Sequence, residues 1–131
     1  MDVYKSLASY KKTNPSVITI GTFDGLHLGH KAILTQLVNA AKEDNLSSIL
    51  LTFFPHPRMI LQKDSSLKLI NTINERSAII KQTGVSNLII HPFTKKFSRL
   101  TALEFVRDIL VNKLHIKKII IGYDHQFGRN R

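Results

Sequence analysis

The sequence predicts an α/β fold, a parallel sheet wound with helices on both of its faces. Three observations lead to this prediction. Short β-branched apolar segments alternate with longer segments in which apolar residues recur at helical spacing. The short segments are apolar without polar alternation, as strands buried on both faces are. Loops rich in glycine, proline or charge follow them, and ligands bind at the carboxyl ends of the strands in such sheets.

Composition favours one compact domain over residues 1–131. With 43% hydrophobic residues the chain can bury a core, and without cysteine it has neither a disulfide framework nor a thiol nucleophile. The first residues lack a signal-peptide core, and no apolar run approaches membrane-spanning length. We therefore expect a soluble, cytoplasmic protein without a membrane partner.

The excess of basic residues indicates an anionic ligand. Nineteen Lys and Arg against nine Asp and Glu give a formal net charge of +10. These residues are scattered, and no arginine-rich run is interleaved with aromatic residues as in many single-strand binders. A nucleotide-sized ligand is favoured over nucleic acid, which stays open as an alternative.

The first half of the chain predicts two strands around one helix. Residues 1–15 are polar and are expected to form an exposed lead-in. Residues 17–20 form the first strand, and the helix after the glycine-rich loop runs to about Asp44 or Asn45. Residues 48–54 form a second buried strand, which Pro55 and Pro57 end.

The second half predicts two further helices and strands. After a turn-like connection over residues 62–71, capping boxes open helices at Thr72 and Thr101, and Gly84 is placed to close the first. Residues 87–90 and 117–122 form strands. His91 could face a ligand, although a satisfied edge histidine is favoured. The apolar stripe of the last helix is Leu103, Val106, Ile109, Leu110 and Leu114.

The loop over residues 21–30 is predicted to bind phosphate. It joins a strand to a helix N-terminus, where backbone N–H groups and the helix dipole favour an anion, and Gly21, Gly25 and Gly29 permit tight turns. Neither the Walker pattern nor the dinucleotide glycine spacing is present. Instead His27 and His30 form a His-x-Gly-His pattern that can donate to a polyphosphate. A metal pair and ordinary capping histidines are the alternatives considered.

Two other strand ends carry functional residue types. Phe54, Pro55, His56 and Arg58 follow the second strand and could flank a flat ring and a phosphate; the alternative places Phe54 in the core. The last residues offer a carboxylate for Mg²⁺ at Asp124 and arginines for phosphate. Because the strands are parallel, all three segments are expected at one edge of the sheet.

These motifs resemble the FMN adenylyltransferase (FAD synthetase) module of bacterial bifunctional riboflavin kinase/FAD synthetases. Residues 21–30 resemble the family's nucleotidyltransferase motif, and residues 52–57 resemble its Phe-x-Pro-His-Pro motif. The pattern over residues 122–131 also matches, except that His125 and Gln126 replace the usual Phe and Arg. The resemblance implies a Rossmann-like nucleotidyltransferase fold, ATP and FMN as substrates, and Mg²⁺.

The resemblance also implies the site residues. His27 and His30 are the expected catalytic residues, and Asp124 is the expected metal ligand. The expected ATP-binding residues are Gly21, Thr22, Phe23, Asp24, Gly25, His27, Gly29 and His30. The expected FMN-binding residues are Phe54, Pro55, His56, Phe127 and Arg131.

The family's second phosphate motif and its riboflavin kinase domain are expected beyond Arg131, so we expect a truncated module that folds but catalyses poorly alone. Three alternatives stay open. One is another His-x-Gly-His transferase, moving a cytidylyl or adenylyl group to a small phosphorylated substrate. The others are a basic nucleic-acid-binding domain and a fragment that only binds.

Overall fold

The computed structural model describes residues 1–21, 28–54 and 73–121, with the backbone alone for residues 28–30 and 73–74. Its sheet has five parallel strands in the order β1-β4-β3-β2-β5. The strands are β1 (Asp2–Tyr4), β2 (Ser16–Ile20), β3 (Ser47–Phe53), β4 (Asn87–His91) and β5 (Ile116–Ile119). The predicted parallel α/β fold is confirmed.

Helices connect the strands. They are α1 (Leu28–Asp44), α2 (Ile73–Lys81), α3 (Lys95–Ser98) and α4 (Ala102–Glu104), and α4 continues as a π-helix, π1 (Phe105–Val111). The predicted end of the first helix is confirmed at Asp44, and Asn45 follows it with a φ of 54°. Gly84, at a φ of 93°, lies just beyond α2, in the left-handed region that glycine adopts without strain.

Apolar layers cover both faces of the sheet, as a doubly wound fold requires. On one face α1 buries Leu34 and Leu37 against Val17 and Leu50. On the other face π1 buries Phe105 and Leu110 among apolar residues of the central strands, which are Ile18, Ile20, Ile49, Leu51 and Ile89. Because successive strand residues point to opposite faces, each central strand contributes to both layers.

The prediction of an exposed lead-in over residues 1–15 is wrong. Asp2–Tyr4 forms the edge strand β1 beside β4, and Leu7 and Tyr10 lie buried in the second layer. The rings of Tyr4 and Tyr10 meet edge to face, with centroids 5.0 Å apart. The lead-in therefore completes the sheet and covers part of one face.

The last helix confirms its predicted cap but changes its predicted stripe. The Thr101 side chain accepts a hydrogen bond from the Glu104 N–H at 3.1 Å, and the Glu104 carboxylate accepts one from the Thr101 N–H at 2.9 Å. Leu103, however, is 69% exposed and does not join the core. The strand predicted at residues 117–122 runs instead from Ile116 to Ile119.

Candidate functional site

The order of the strands places a crevice at the carboxyl end of β2. From β2 the chain passes through α1 to β3 and on to β4, whereas β5 lies on the other side of β2. The strand order thus reverses its direction at β2. In open parallel sheets ligands bind at such a switch point, outside the carboxyl ends of the strands.

Gly21 lies at this switch point. It directly follows β2, and its N–H donates to the carbonyl of Leu51 in β3 at 3.0 Å. On the other side, the N–H of Ile120 donates to the carbonyl of Ile18 at 2.9 Å, which brings the end of β5 beside the end of β2. The sequences after β2, β3 and β5 therefore start from one edge of the sheet, as predicted.

The first turn of α1 begins seven residues after Gly21, at Leu28. Gly29 and His30 belong to this turn, which contains no acidic residue, while Lys42 lies in the last turn. The positive end of the helix dipole is therefore not neutralised by a carboxylate of its own helix, whereas the last turn holds Glu43 and Asp44 as well as Lys42. An anion at the start of α1 would be stabilised.

Phe54 is the described part of the second predicted segment. Its side chain is 45% exposed, so the alternative that placed it in the core is not supported. Its N–H donates to the carbonyl of His91 at 3.2 Å, which extends the pairing of β3 with β4 by one residue. A large aromatic ring is thus held at the edge that carries Gly21 and remains accessible.

An aromatic cluster lies beneath this edge. The ring of Phe53 is 5.4 Å from the rings of both Phe93 and Phe97, and Phe97 lies 6.1 Å from Phe105. Offset and edge-to-face ring pairs of this kind each contribute about 0.5 to 1.5 kcal/mol beyond the burial of their surface. The cluster ties the end of β3 to the connection between β4 and β5.

His91 ends β4 as a half-buried residue beside this cluster. Its Nδ1 accepts a hydrogen bond from the Leu7 N–H at 3.0 Å, so the favoured interpretation as a satisfied edge histidine is confirmed. Burial lowers the pKa of the His91 imidazole below its usual range. The neutral ring is the form that can accept this bond, because a protonated ring nitrogen only donates.

Most of the predicted site residues lie outside the described part of the chain. These are Thr22, Phe23, Asp24, Gly25, His27, Pro55, His56, Asp124, Phe127 and Arg131, together with the side chain of His30, the substituted positions His125 and Gln126, Arg58, residues 62–71 and the cap at Thr72. The described residues include Gly21, the backbone of Gly29 and His30, and Phe54. The site assignment therefore stays a prediction.

The side chains and helices that the structure describes bear on metal binding and on membrane insertion. Among residues 1–21, 28–54 and 73–121, no cluster of three His, Cys, Asp or Glu side chains could hold a metal ion. In the same ranges no helix is long and apolar enough to cross a membrane. Asp124, the predicted Mg²⁺ ligand, lies outside these ranges.

The sequence did not reveal that His91 connects to the start of the chain. The available signal was Leu7 and Tyr10, two large side chains three positions apart in the segment that follows Val3 and Tyr4. Their spacing is that of one face of a helical turn, and the Tyr10 N–H does donate to the Leu7 carbonyl at 3.2 Å. Both side chains are buried against the sheet.

The switch point, the glycine after β2 and the helix that begins beside it define a Rossmann-like fold. A family model described as FAD synthetase matches residues 9–131. The chain belongs to the FAD synthetase family.

Curated relatives agree with this assignment. The chain is 36% identical over 132 aligned residues to a bifunctional riboflavin kinase/FMN adenylyltransferase of Buchnera aphidicola, covering 100% of the chain and 42% of that relative. It is 33% identical to the Escherichia coli (strain K12) protein of the same name over 88% of the chain and 37% of that relative. A Listeria monocytogenes FAD synthetase is 33% identical over 96% of the chain and 51% of its own length. The chain thus spans about half or less of the length of these relatives.

A solved structure supports the fold independently. It is described as a macrolide-efflux protein from Streptococcus pneumoniae, and it superposes with a TM-score of 0.85 at 30% sequence identity. The similarity covers 98% of this chain and 42% of that one. The backbone arrangement derived above is therefore shared by a longer protein of known structure.

Proposed function

We propose that this chain is the adenylyl-transferring part of an FAD synthetase, which moves AMP from ATP to FMN and releases pyrophosphate. The match of residues 9–131 to the FAD synthetase family is the observation that carries this proposal. The relatives named as FMN adenylyltransferases support the same substrates. The proposal extends to a fused riboflavin kinase domain, since the longer relatives carry that activity in their names.

The described edge suits both substrates. The start of α1, with no acidic residue in its first turn, favours the phosphates of ATP. The exposed ring of Phe54 can pack against the flat isoalloxazine ring of FMN, since stacked aromatic surfaces combine apolar contact with favourable ring geometry. The two features follow neighbouring strands, β2 and β3, so the two ligands would lie side by side.

The reaction needs no covalent intermediate. A phosphate oxygen of FMN attacks the α-phosphorus of ATP in line, a new P–O bond forms, and the bond to pyrophosphate breaks. The work of the protein is to position the substrates and stabilise charge, for which we assign His27 and His30 as donors to phosphate oxygens. Asp124 would hold Mg²⁺, which offsets the charge of the pyrophosphate when bound.

The test is ligand binding and product formation on this chain. FMN fluorescence titration, calorimetry with ATP, and chromatography of FAD after incubation with FMN, ATP and Mg²⁺ separate the alternatives. Saturable FMN binding supports the proposal. Binding of glycerol phosphate or pantetheine phosphate without FMN binding would favour another His-x-Gly-His transferase. Indifference to FMN with nucleic-acid affinity that falls steeply with salt would favour a nucleic-acid-binding domain.

Phe54→Ala is the variant that tests the flavin side. It should raise the FMN dissociation constant while leaving that for ATP unchanged, because Phe54 follows β3 and the start of α1 follows β2. Leu103→Ala is the matched control, since Leu103 is also a large exposed apolar residue but lies in α4. Equal FMN affinity of Phe54→Ala and the unchanged chain would remove Phe54 from the flavin site.

A further inference from the structure

Three segments of the chain meet at His91, at the carboxyl end of β4. The imidazole Nδ1 accepts a hydrogen bond from the Leu7 N–H at 3.0 Å. The imidazole ring also lies 4.9 Å from the Phe97 ring of α3. The backbone carbonyl of the same residue accepts a hydrogen bond from the Phe54 N–H at 3.2 Å. His91 therefore links the N-terminal segment and α3 to the residue that follows β3.

We propose that His91 is a positioning residue for FMN, which acts by holding the backbone at Phe54. This inference rests on the proposed function, because it takes FMN as the ligand that meets the Phe54 ring. His91 itself need not touch FMN. Its side chain fixes the end of β4 from two sides, and its carbonyl passes that constraint to Phe54.

The contacts of Phe53 explain why this constraint matters. The Phe53 ring packs into the aromatic cluster, 5.4 Å from Phe97, and successive strand residues point to opposite faces. The inward ring of Phe53 and the outward, 45% exposed ring of Phe54 thus share one short backbone segment. A shift of β4 or α3 at this point would turn both rings, and it would change the surface presented to the flavin.

The bond to Leu7 supplies the second constraint. Leu7 is 7% exposed, so water does not readily replace an acceptor that is lost from its N–H. An unmet buried N–H is costly, and the N-terminal segment would move to satisfy it. Such a movement would free one side of the ring that replaces His91. The affinity for FMN would fall although no residue that contacts the ligand had changed.

Two substitutions separate the two constraints. His91→Phe keeps a ring beside Phe97 and removes the acceptor for Leu7, whereas His91→Asn keeps an acceptor near the place of Nδ1 and removes the ring. His115→Asn is the matched control. His115 precedes β5 and therefore lies at the amino ends of the strands, opposite the end that carries Phe54, and its φ of 55° is one that asparagine adopts readily. FMN and ATP dissociation constants and the Tm are measured for each variant at pH 7.5.

His91→Phe should raise the FMN dissociation constant by about twofold to tenfold, the range that one hydrogen bond is worth, with the ATP constant unchanged. His91→Asn should raise the FMN constant by less than His91→Phe does, because it keeps the acceptor and loses only the ring contact. His115→Asn should match the unchanged chain. A purely structural role would lower the Tm and leave the FMN constant unaltered, or would weaken both ligands equally. Either result would overturn the inference.

The control arms keep the two proposals apart. If the unchanged chain does not bind FMN, the proposed function of this chain fails, and the inference fails with it. If the unchanged chain binds FMN and His91→Phe binds it equally well, only the inference fails. Should His91→Phe not fold, Phe97→Leu tests the same coupling from the other side, because it removes the ring contact and leaves the bond to Leu7. An FMN constant unaltered in Phe97→Leu would then overturn the inference.

Discussion

Asn87→Ala should destabilise the chain without changing its affinity for FMN or ATP. Asn87 begins β4 and is 1% exposed. Its side-chain amide donates to the Ser48 carbonyl of β3 at 2.9 Å, and its amide oxygen accepts from the Lys12 ammonium at 2.8 Å. Lys12 also pairs with Asp2 of β1 at 2.8 Å. One buried amide thus links β3, β4 and the N-terminal segment.

The two bonds contribute unequally. The bond to Ser48 is fully buried, and its loss costs about 1 to 2 kcal/mol when the removal of a buried donor is included. The Lys12 side chain is 37% exposed and keeps Asp2, so water replaces the lost acceptor and the further cost is roughly 0.5 to 1 kcal/mol. The expected loss is therefore about 2 kcal/mol. For 131 residues, an unfolding entropy of about 2.1 cal/mol/K per residue converts this to a Tm lower by about 7 °C.

The assay is thermal and urea unfolding of the chain followed by circular dichroism. Asn112→Ala is the matched control, because it removes an exposed asparagine at the end of π1 and should change stability by less than about 0.5 kcal/mol. FMN and ATP binding, measured below the transition, should be unchanged by either substitution. A Tm for Asn87→Ala within about 2 °C of the unchanged chain would refute the assignment of the buried bonds.

Three further predictions concern the site, a helix cap and a titrating group. In the active protein, His30→Ala should lower the rate of adenylyl transfer by about 10²- to 10³-fold, as loss of one preorganised donor does, measured at saturating ATP. Thr101→Ala should lower the Tm by about 3 to 4 °C through loss of the cap, worth about 1 kcal/mol, measured by calorimetry. Burial lowers the pKa of His91 from its usual 6.5, so the unfolded chain binds more protons than the folded chain below that pH. The free energy of unfolding should therefore fall as the pH drops through 6.5. His91→Asn should flatten this fall, measured by urea titrations at several pH values.

Each of these has a control and a contradicting outcome. Full turnover by His30→Ala, with His115→Asn as the control histidine, would remove His30 from the reaction. A Tm for Thr101→Ala equal to that of the exposed control Thr13→Ala would mean that the cap does not stabilise the helix. For the titration, burial lowers the pKa of His91, and the unfolded chain lacks that burial. Identical pH slopes for His91→Asn and the unchanged chain would therefore refute the sign.

The central sheet was predictable because local signals and tertiary environment agree there. The β-branched segments at Ser16–Ile20 and Ser47–Phe53 are buried almost throughout, so their apolarity alone marked them as strands. The edge strand β1 has only three residues, two of them exposed. Its pairing depends on β4, more than eighty residues away along the chain, and no local pattern reports such a contact.

The π-helix shows a different limit. The predicted stripe assumed the period of an α-helix from Leu103 onward. In π1 the N–H of Asn112 donates to the carbonyl of Arg107 at 3.1 Å, five residues back, so side chains advance around the axis more slowly. Phe105 and Leu110, also five residues apart, are buried, whereas Leu103 is exposed. The cap at Thr101 was predictable because it depends on two residues three apart.

The position of the candidate site was predictable from the sequence, but the orientation of its aromatic residue was not. The edge at which it lies follows from the order of elements, because parallel strands end on one side and the order reverses at β2. The orientation of Phe54 does not follow, since two phenylalanines end the segment and either could have faced the core. The aromatic cluster decides between them, because Phe53 fills the space beside Phe93 and Phe97. That space is built by residues forty positions further along the chain.

The two ends of β4 make contacts of different kinds, one set that stabilises the sheet and one set at the proposed flavin side. At its amino end Asn87 makes a buried hydrogen bond to Ser48 of β3 and a partly buried one to Lys12, at the end of the strand away from the predicted ligands. Four residues later, at its carboxyl end, His91 holds Leu7 and the backbone of Phe54. Substitutions at both ends disturb the same strand and the same N-terminal segment. If the topology of the sheet assembles the site, Asn87→Ala should lower stability alone, whereas His91→Phe should also lower the affinity for FMN. A loss of FMN affinity at both ends would instead mean that stability of the whole sheet sets binding.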